Sequence, residues 1–290
     1  MKKMKIESIN FKSKVLQQDD LFVSNEKVSL EKLTGKPCRK GLSHCIVSNG
    51  KIVNAVSSSY GHLPNEKFFL AVEEKLINAD IHYTTRSINR EDCNFAADYI
   101  LNDDSFAINV KNSKDVIKPM LRFINSYDGQ NKVSGHLGFF REICSNGLHV
   151  AHSVVGFSFR KRGDIEELVL PEIQGIITQF MNNEFYTLTK KFEKLKQIKI
   201  KRVEDFVKVT CEKNGLFKYE KSDKNPAPSL NAQIAIDIIN HEAQQLGEPA
   251  NLWLGYNAMQ SLIHDKLQKS FDTQKKLEQK LFADLMTYTN

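Results

Sequence analysis

Two turn signals a fixed distance apart most constrain how this chain folds: Asn125-Ser126-Tyr127-Asp128-Gly129, then Arg141-Glu142-Ile143-Cys144-Ser145-Asn146-Gly147-Leu148. Asp-Gly and Asn-Gly pairs between alternating apolar residues are the strongest short-range hairpin cues, because type I′ turns need positive φ at both central positions. The centre of the chain is therefore expected to be an antiparallel β-meander. Strands are expected at residues 81–85, 105–110, 120–125, 133–144 and 148–160, in a sheet of roughly four to six. Gly156, beside Val154 and Val155, predicts a bulge.

Helical periods flank this centre. Residues 1–63 read as a β-rich segment with one hairpin at 45–56, turning on Asn49-Gly50. Asn65 is expected to cap a helix over 66–78, since Phe68, Phe69, Val72, Leu76 and Ile77 share a face. Past residue 163, Pro171 suits position N1 of one long amphipathic helix whose stripe runs from Ile173 to Leu195 across the sheet. The polar stretch 220–228 reads as a loop, followed by helices over 231–245 and 251–285. The fold class is α+β, a mostly antiparallel meander packed against helices with a helical C-terminal half. One domain spans 1–290, divided into 1–63, a helix plus meander at 64–163, and the helical 164–290. A 41% hydrophobic content is enough for its core.

Composition narrows the setting. Five cysteines, odd in number and widely spaced, argue against a disulfide framework. The basic start Met1-Lys2-Lys3 leads into no apolar run, and no stretch approaches the ~20 apolar residues of a membrane span. The expected location is a reducing cytoplasm, with no membrane partner. No phosphate-loop, nucleophile-elbow, HExxH or dinucleotide glycine motif occurs, so neither catalytic residues nor a cofactor are assigned.

Each candidate site residue also has a plain structural role open to it. Asn125, Ser126, Asp128 and Cys144 are possible ligand-facing turn residues, although Asn, Ser and Asp also favour turns by bonding their own backbone. Cys144, His149 and His152 match no zinc-site spacing, so no metal is assigned. Arg141, after Phe139 and Phe140, suits a phosphate or a base as well as a salt bridge. Lys190, Lys191, Lys194, Lys196, Lys199, Lys201 and Arg202 fall within thirteen residues against one Glu193, and Arg160-Lys161-Arg162 closes the last strand. With a formal charge of +6, this density points to a phosphate backbone rather than to solubility alone. Phe157 and Phe159 share a face and are expected to pack under the long helix.

Four blocks carry a family resemblance: residues 60–66 (Tyr-Gly-His-Leu-Pro-Asn-Glu), 125–129, 140–148 and 252–258 (Leu-Trp-Leu-Gly-Tyr-Asn-Ala). Over residues 56 to 260 the chain resembles the phage- and plasmid-borne family known as domain of unknown function 932. Ser58-Ser59-Tyr60 departs from the charged pair that precedes the tyrosine in that family. The resemblance implies a mobile-element protein in a bacterial cytoplasm and imports no established activity.

The expected function is nucleic-acid binding, with single-stranded DNA as partner in recombination or replication. Arg160, Lys161, Arg162 and the Lys190–Arg202 cluster would contact phosphates, with Arg141 and Asn146 nearer the strand. A homo-oligomer is expected by analogy with ring-forming annealing proteins. The alternative is a counter-defence or regulatory protein that binds a host protein through an amphipathic surface such as Leu262, Ile263, Leu267 and Phe271. Least favoured is an enzyme: a metal-dependent nuclease using carboxylates such as Asp98, Asp103 and Asp104, or a small-molecule hydrolase using Asp128 with His136 or His149.

Overall fold

The Asn49-Gly50 pair closes a hairpin as the sequence demands: φ is 48° at Asn49 and 75° at Gly50, a left-handed pair between two strands. A computed structural model describes residues 21–36, 38, 41–102, 108–109, 115–141, 147–148, 156–181, 186–222, 225–267 and 269–289. Strand β1 (Asn25–Ser29) and a single-turn helix α1 (Leu30–Thr34) precede the hairpin strands β2 (His44–Ser48) and β3 (Lys51–Val56). Together the three strands form a small antiparallel sheet in the order β1-β2-β3. Helix α2 (Asn65–Asn78) follows.

The central sheet is a true meander. Strands β4 (Tyr83–Arg90), β5 (Asn94–Leu101), β6 (Ile108–Asn109), β7 (Val116–Ser126), β8 (Val133–Arg141), β9 (Gly147–Leu148) and β10 (Gly156–Phe159) all pair antiparallel. The main path runs β10-β8-β7-β5-β4, with short β6 on β7 and β9 on β8, seven strands among the described residues. Strand β5 escapes sequence reading because it is buried throughout and shows no polar alternation. Phe95, Ala97, Tyr99 and Leu101 join the main core, whereas Ala96 packs with Ile124 and Phe271 on the other side. Gly156 makes no bulge among the described residues; its register to His136, Gly135, Ser134 and Val133 is unbroken. A Cβ there would sit 2.6 Å from the Gly135 carbonyl oxygen, so the glycine serves close approach of two strands.

The helical half departs from expectation at its breaks. Helix α3 (Ile165–Met181) and helix α4 (Tyr186–Gln197) replace the single long helix, and Pro171 lies inside α3 rather than at its start. The apolar stripe begins earlier than the proline, with Ile165 and Val169 buried. Burial of two such side chains, ~1.5–3 kcal/mol each, offsets the ~3 kcal/mol cost of an internal proline. Helix α5 (Val203–Asn214) lies between the expected helices, and the polar stretch forms the strands β11 (Glu220–Ser222) and β12 (Asn225–Pro228) instead of a loop. Helix α6 (Leu230–Leu246) matches, but the last expected helix is two: α7 (Leu252–Asp265) and α8 (Phe271–Met286). Ser270 caps α8 by accepting from the Thr273 N–H at 3.3 Å, the one local stop signal in that stretch.

Helices α2 and α3 pack together, and Phe68 of α2 meets Phe123 of the sheet edge-on at 6.0 Å between ring centroids. Phe157 is buried and stacks on Phe159 at 5.7 Å, so both rings belong to packing as expected. Phe192 of α4 bridges Phe139 of β8 at 5.1 Å and Trp253 of α7 at 4.6 Å, joining the sheet to the helical half. No described helix is long and apolar enough to cross a membrane.

Candidate functional site

The β7–β8 connection is not the two-residue turn the Asp-Gly pair suggests. Only Gly129 of that pair is left-handed, at φ 78°, and the chain crosses in six residues, 127–132. Asp128 folds the loop as an Asx turn, its Oδ1 accepting from the Gln130 N–H at 2.9 Å, while its Oδ2 accepts from Asn94 Nδ2. Ser126 Oγ donates to the Asn131 carbonyl at 2.8 Å.

The polar residues that a turn does not need are used in the tertiary structure. Asn125 Nδ2 donates to the Leu63 carbonyl at 2.9 Å and to Asn65 Oδ1 at 2.7 Å. Asn65 is the first residue of α2, not its cap; its Nδ2 donates to the Leu21 carbonyl at 2.8 Å and its N–H to the Tyr127 hydroxyl at 2.8 Å. Lys161 donates from Nζ to Asn125 Oδ1 and to the Ser126 carbonyl, and lies 5.6 Å from the centre of the Tyr127 ring. His62 meets the same ring at 5.3 Å and shares a hydrogen bond with Asn25 Oδ1 at 2.8 Å. Burial, reinforced by Lys161 and Lys27, holds the His62 imidazole down at about 4, so it is neutral at physiological pH.

Beside this network opens a cleft of about 310 Å³, lined by Tyr60, residues 129–132, Arg160, Lys161, Arg162 and Asp272. Tyr60 and Arg162 form a β-bridge, and the Gly61 N–H donates to the Lys161 carbonyl at 3.3 Å, which ties the Tyr60 segment to the 160–162 run. Arg160 and Arg162 are exposed, and Lys161, at the bend between them, is buried. Four cations, counting Lys132, therefore surround the cleft against one lining carboxylate, Asp272. Burial lowers the Lys161 amine to about 7, with Asp128 opposing that shift. Burial and the charge of Asp128 raise the Tyr60 hydroxyl, so it keeps its proton, and its oxygen is buried without a hydrogen-bond partner among the described residues.

Other expected site residues lie elsewhere. Arg141 is fully buried: its guanidinium pairs with Asp115 at 2.7 Å and Glu242 at 2.9 Å, and Trp253 Nε1 donates to Asp115 at 2.9 Å. A guanidinium held this way has no free face for a phosphate or a base, which corrects its expected role. Lys161 is likewise an interior amine and not a surface phosphate contact. Lys190, Lys194, Lys199, Lys201 and Arg202 are exposed; Lys191 is half-buried, Lys196 pairs with Glu248 at 3.0 Å and Arg202 with Asp205 at 3.1 Å. Cys144, Asn146, His149, His152, Asp103 and Asp104 fall outside the described residues.

Two further expectations are corrected by burial. Leu262, Ile263 and Phe271 are core residues and Leu267 packs against the core, so they offer no docking face. Asp98 pairs with Arg122 in the next strand, and Arg122 lies in register with His136. Arg122 and His136 meet His264 and Glu278 around an interior space of about 10 Å³, room for one water and not for a substrate. Burial holds both histidines neutral and raises Glu278.

The loop at 125–129, the Tyr60–Asn65 segment and Lys161 thus form one site, and the first two are blocks of the family resemblance. A family model described as a domain of unknown function, DUF932, matches residues 53–282. The chain belongs to this family. The matched span takes in most of β3, the whole central sheet and most of α8, so the cleft lies inside the family's domain. Neither a curated protein nor a solved structure matches the chain. Lys161 as the partner of Asn125 was invisible in the sequence, where the basic run hides which of three cations turns inward.

Proposed function

We propose that this DUF932 protein binds nucleic acid, with single-stranded DNA as the ligand and recombination or replication of a phage or other mobile element in a bacterial cytoplasm as the setting. The observation that carries the reading is the cleft whose rim bears Lys132, Arg160 and Arg162 beside the ring of Tyr60. Arg160 and Arg162 are both exposed on either side of Lys161 and line the cleft together, so both guanidinium groups are available to a phosphate backbone. Each phosphate neutralised releases condensed counterions, and an aromatic ring beside cations is the usual platform for an unpaired base. Exposed Lys190, Lys194, Lys199 and Lys201 supply a second basic surface.

The test is fluorescence anisotropy with a labelled single-stranded oligonucleotide across a salt series. Affinity falls steeply with salt, and the double variant Arg160→Glu, Arg162→Glu loses at least ten-fold. The same strand annealed to its complement binds more weakly. Absence of binding at low salt, or full affinity in the double variant, refutes the proposal.

A further inference from the structure

Three cationic side chains are buried among the described residues besides histidine: Arg122, Arg141 and Lys161. Each arginine faces a carboxylate, Asp98 for Arg122, and Asp115 and Glu242 for Arg141. Lys161 hydrogen-bonds to no carboxylate among the described residues; its two acceptors are an amide oxygen and a backbone carbonyl, and Asp128 acts on it only through its charge. A charged ammonium has three protons to place, whereas a neutral amine has two, and two acceptors are what the site provides. In the neutral form both N–H groups are satisfied and the nitrogen lone pair is left without a role. Lys161 nonetheless lines an open cleft.

A second observation stands in the same cleft. Tyr60 lines it, and its hydroxyl oxygen is buried with no hydrogen-bond partner among the described residues. A buried hydroxyl left unpaired costs about 1–3 kcal/mol, which a bound group that uses it would recover. Tyr60 and Lys161 line this one cleft together, and the charge of Asp128 acts on both. An amine nucleophile, a proton donor and flanking guanidinium groups are the parts needed to condense with the aldehyde of an anionic molecule.

We infer that Lys161 is the nucleophile of an imine-forming site that takes an aldehyde on a phosphate-bearing substrate, the open-chain sugar aldehyde of an abasic position in single-stranded DNA being the class it fits. The choice of substrate rests on the nucleic-acid reading above; the amine chemistry does not. The Lys161 lone pair attacks the aldehyde carbon, forming the C–N bond, and the carbonyl π pair moves to oxygen, which takes a proton from the amine nitrogen. The carbinolamine hydroxyl then accepts the Tyr60 proton and leaves as water as the C=N bond forms. The second nitrogen proton returns to Tyr60. One water is released and nothing is oxidised or reduced. Burial keeps the amine near neutrality, so much of it is unprotonated at physiological pH, and Tyr60 stays protonated.

The test incubates the full chain with sodium cyanoborohydride and a labelled single-stranded oligonucleotide bearing one abasic position, with the intact oligonucleotide and glyoxylate as parallel arms. A covalent adduct on a denaturing gel with the abasic strand alone, mapped to Lys161 by peptide mass spectrometry, is the expected result, with a rate that rises through about pH 7. Lys161→Arg abolishes the adduct. Tyr60→Phe, which removes a hydroxyl that holds nothing, melts like the wild type and slows trapping ~100-fold. Should Lys161→Arg fail to fold, mapping on the wild type decides: label spread evenly over exposed lysines overturns the inference. Intact strand bound with no adduct also overturns it and leaves the nucleic-acid reading standing. Glyoxylate trapped at Lys161 without binding of either strand upholds the amine and overturns that reading.

Discussion

Replacing Arg141 with methionine separates a structural from a ligand-binding role for this residue, and its cost follows from its surroundings. Arg141 has no exposed surface, and its guanidinium answers two carboxylates, Asp115 and Glu242, the first of which also accepts from Trp253. The pair ties β8 to α6 and α7 across the join between sheet and helical half. Removing one partner of a buried ion pair costs ~3–5 kcal/mol because the other charge is left uncompensated. Against a typical domain stability of ~5–15 kcal/mol that is a large fraction. For a chain of this size the melting temperature should fall by roughly 6–20 °C. Acid should relieve the defect. Burial already raises the Glu242 carboxyl, with Arg141 opposing it, so without Arg141 its folded pKa climbs further above the unfolded value. The penalty is then absent below the unfolded pKa, grows as pH rises from the unfolded to the folded value, and levels off above it. Urea and thermal unfolding followed by circular dichroism at several pH values measure this, and adding Glu242→Gln should restore part of the loss. A cost under ~1 kcal/mol, or lost DNA affinity at wild-type stability, would show that Arg141 reaches a ligand and refute the argument.

Three other outcomes are expected. Tyr127→Phe strands the Asn65 N–H at the start of α2 and costs ~1–3 kcal/mol in urea unfolding, with secondary structure unchanged. Gly135→Ala puts a Cβ 2.7 Å from the Phe123 ring and 2.8 Å from the Phe157 ring; overpacking there should cost ~1–3 kcal/mol, and an unchanged melt would mean that the two rings move apart freely. Lys161→Met should flatten the pH dependence of stability between about 7 and 10.5: the unfolded amine holds a proton in that window that the folded one has released, so wild-type stability rises with pH there and the variant's does not. Parallel slopes in the two proteins would place the Lys161 pKa near its ordinary value.

How much was legible follows the range of the forces involved. The Asn49-Gly50 hairpin, the meander, helix α2 and the α+β class are written in turn chemistry and in periods of two and 3.6, which act within a few residues. Strand β5 and the break before α8 were not legible, because burial on both faces erases alternation and a lone serine cap makes a weak stop signal. The site divides the same way. Asn125, Asp128 and Lys161 stood out as residue types, but their roles depended on groups about thirty to sixty positions distant. The sequence by itself determined that a basic, β-centred domain would form with its polar turns at the heart of a DUF932 chain. Tertiary structure alone decided that Arg141 is interior, that Asn65 and Asn125 hold each other, and that of three consecutive cations Lys161 turns inward. Hydrogen bonds and ion pairs across strands and helices carry those choices, and their energy comes from burial, which no local stretch of chain encodes.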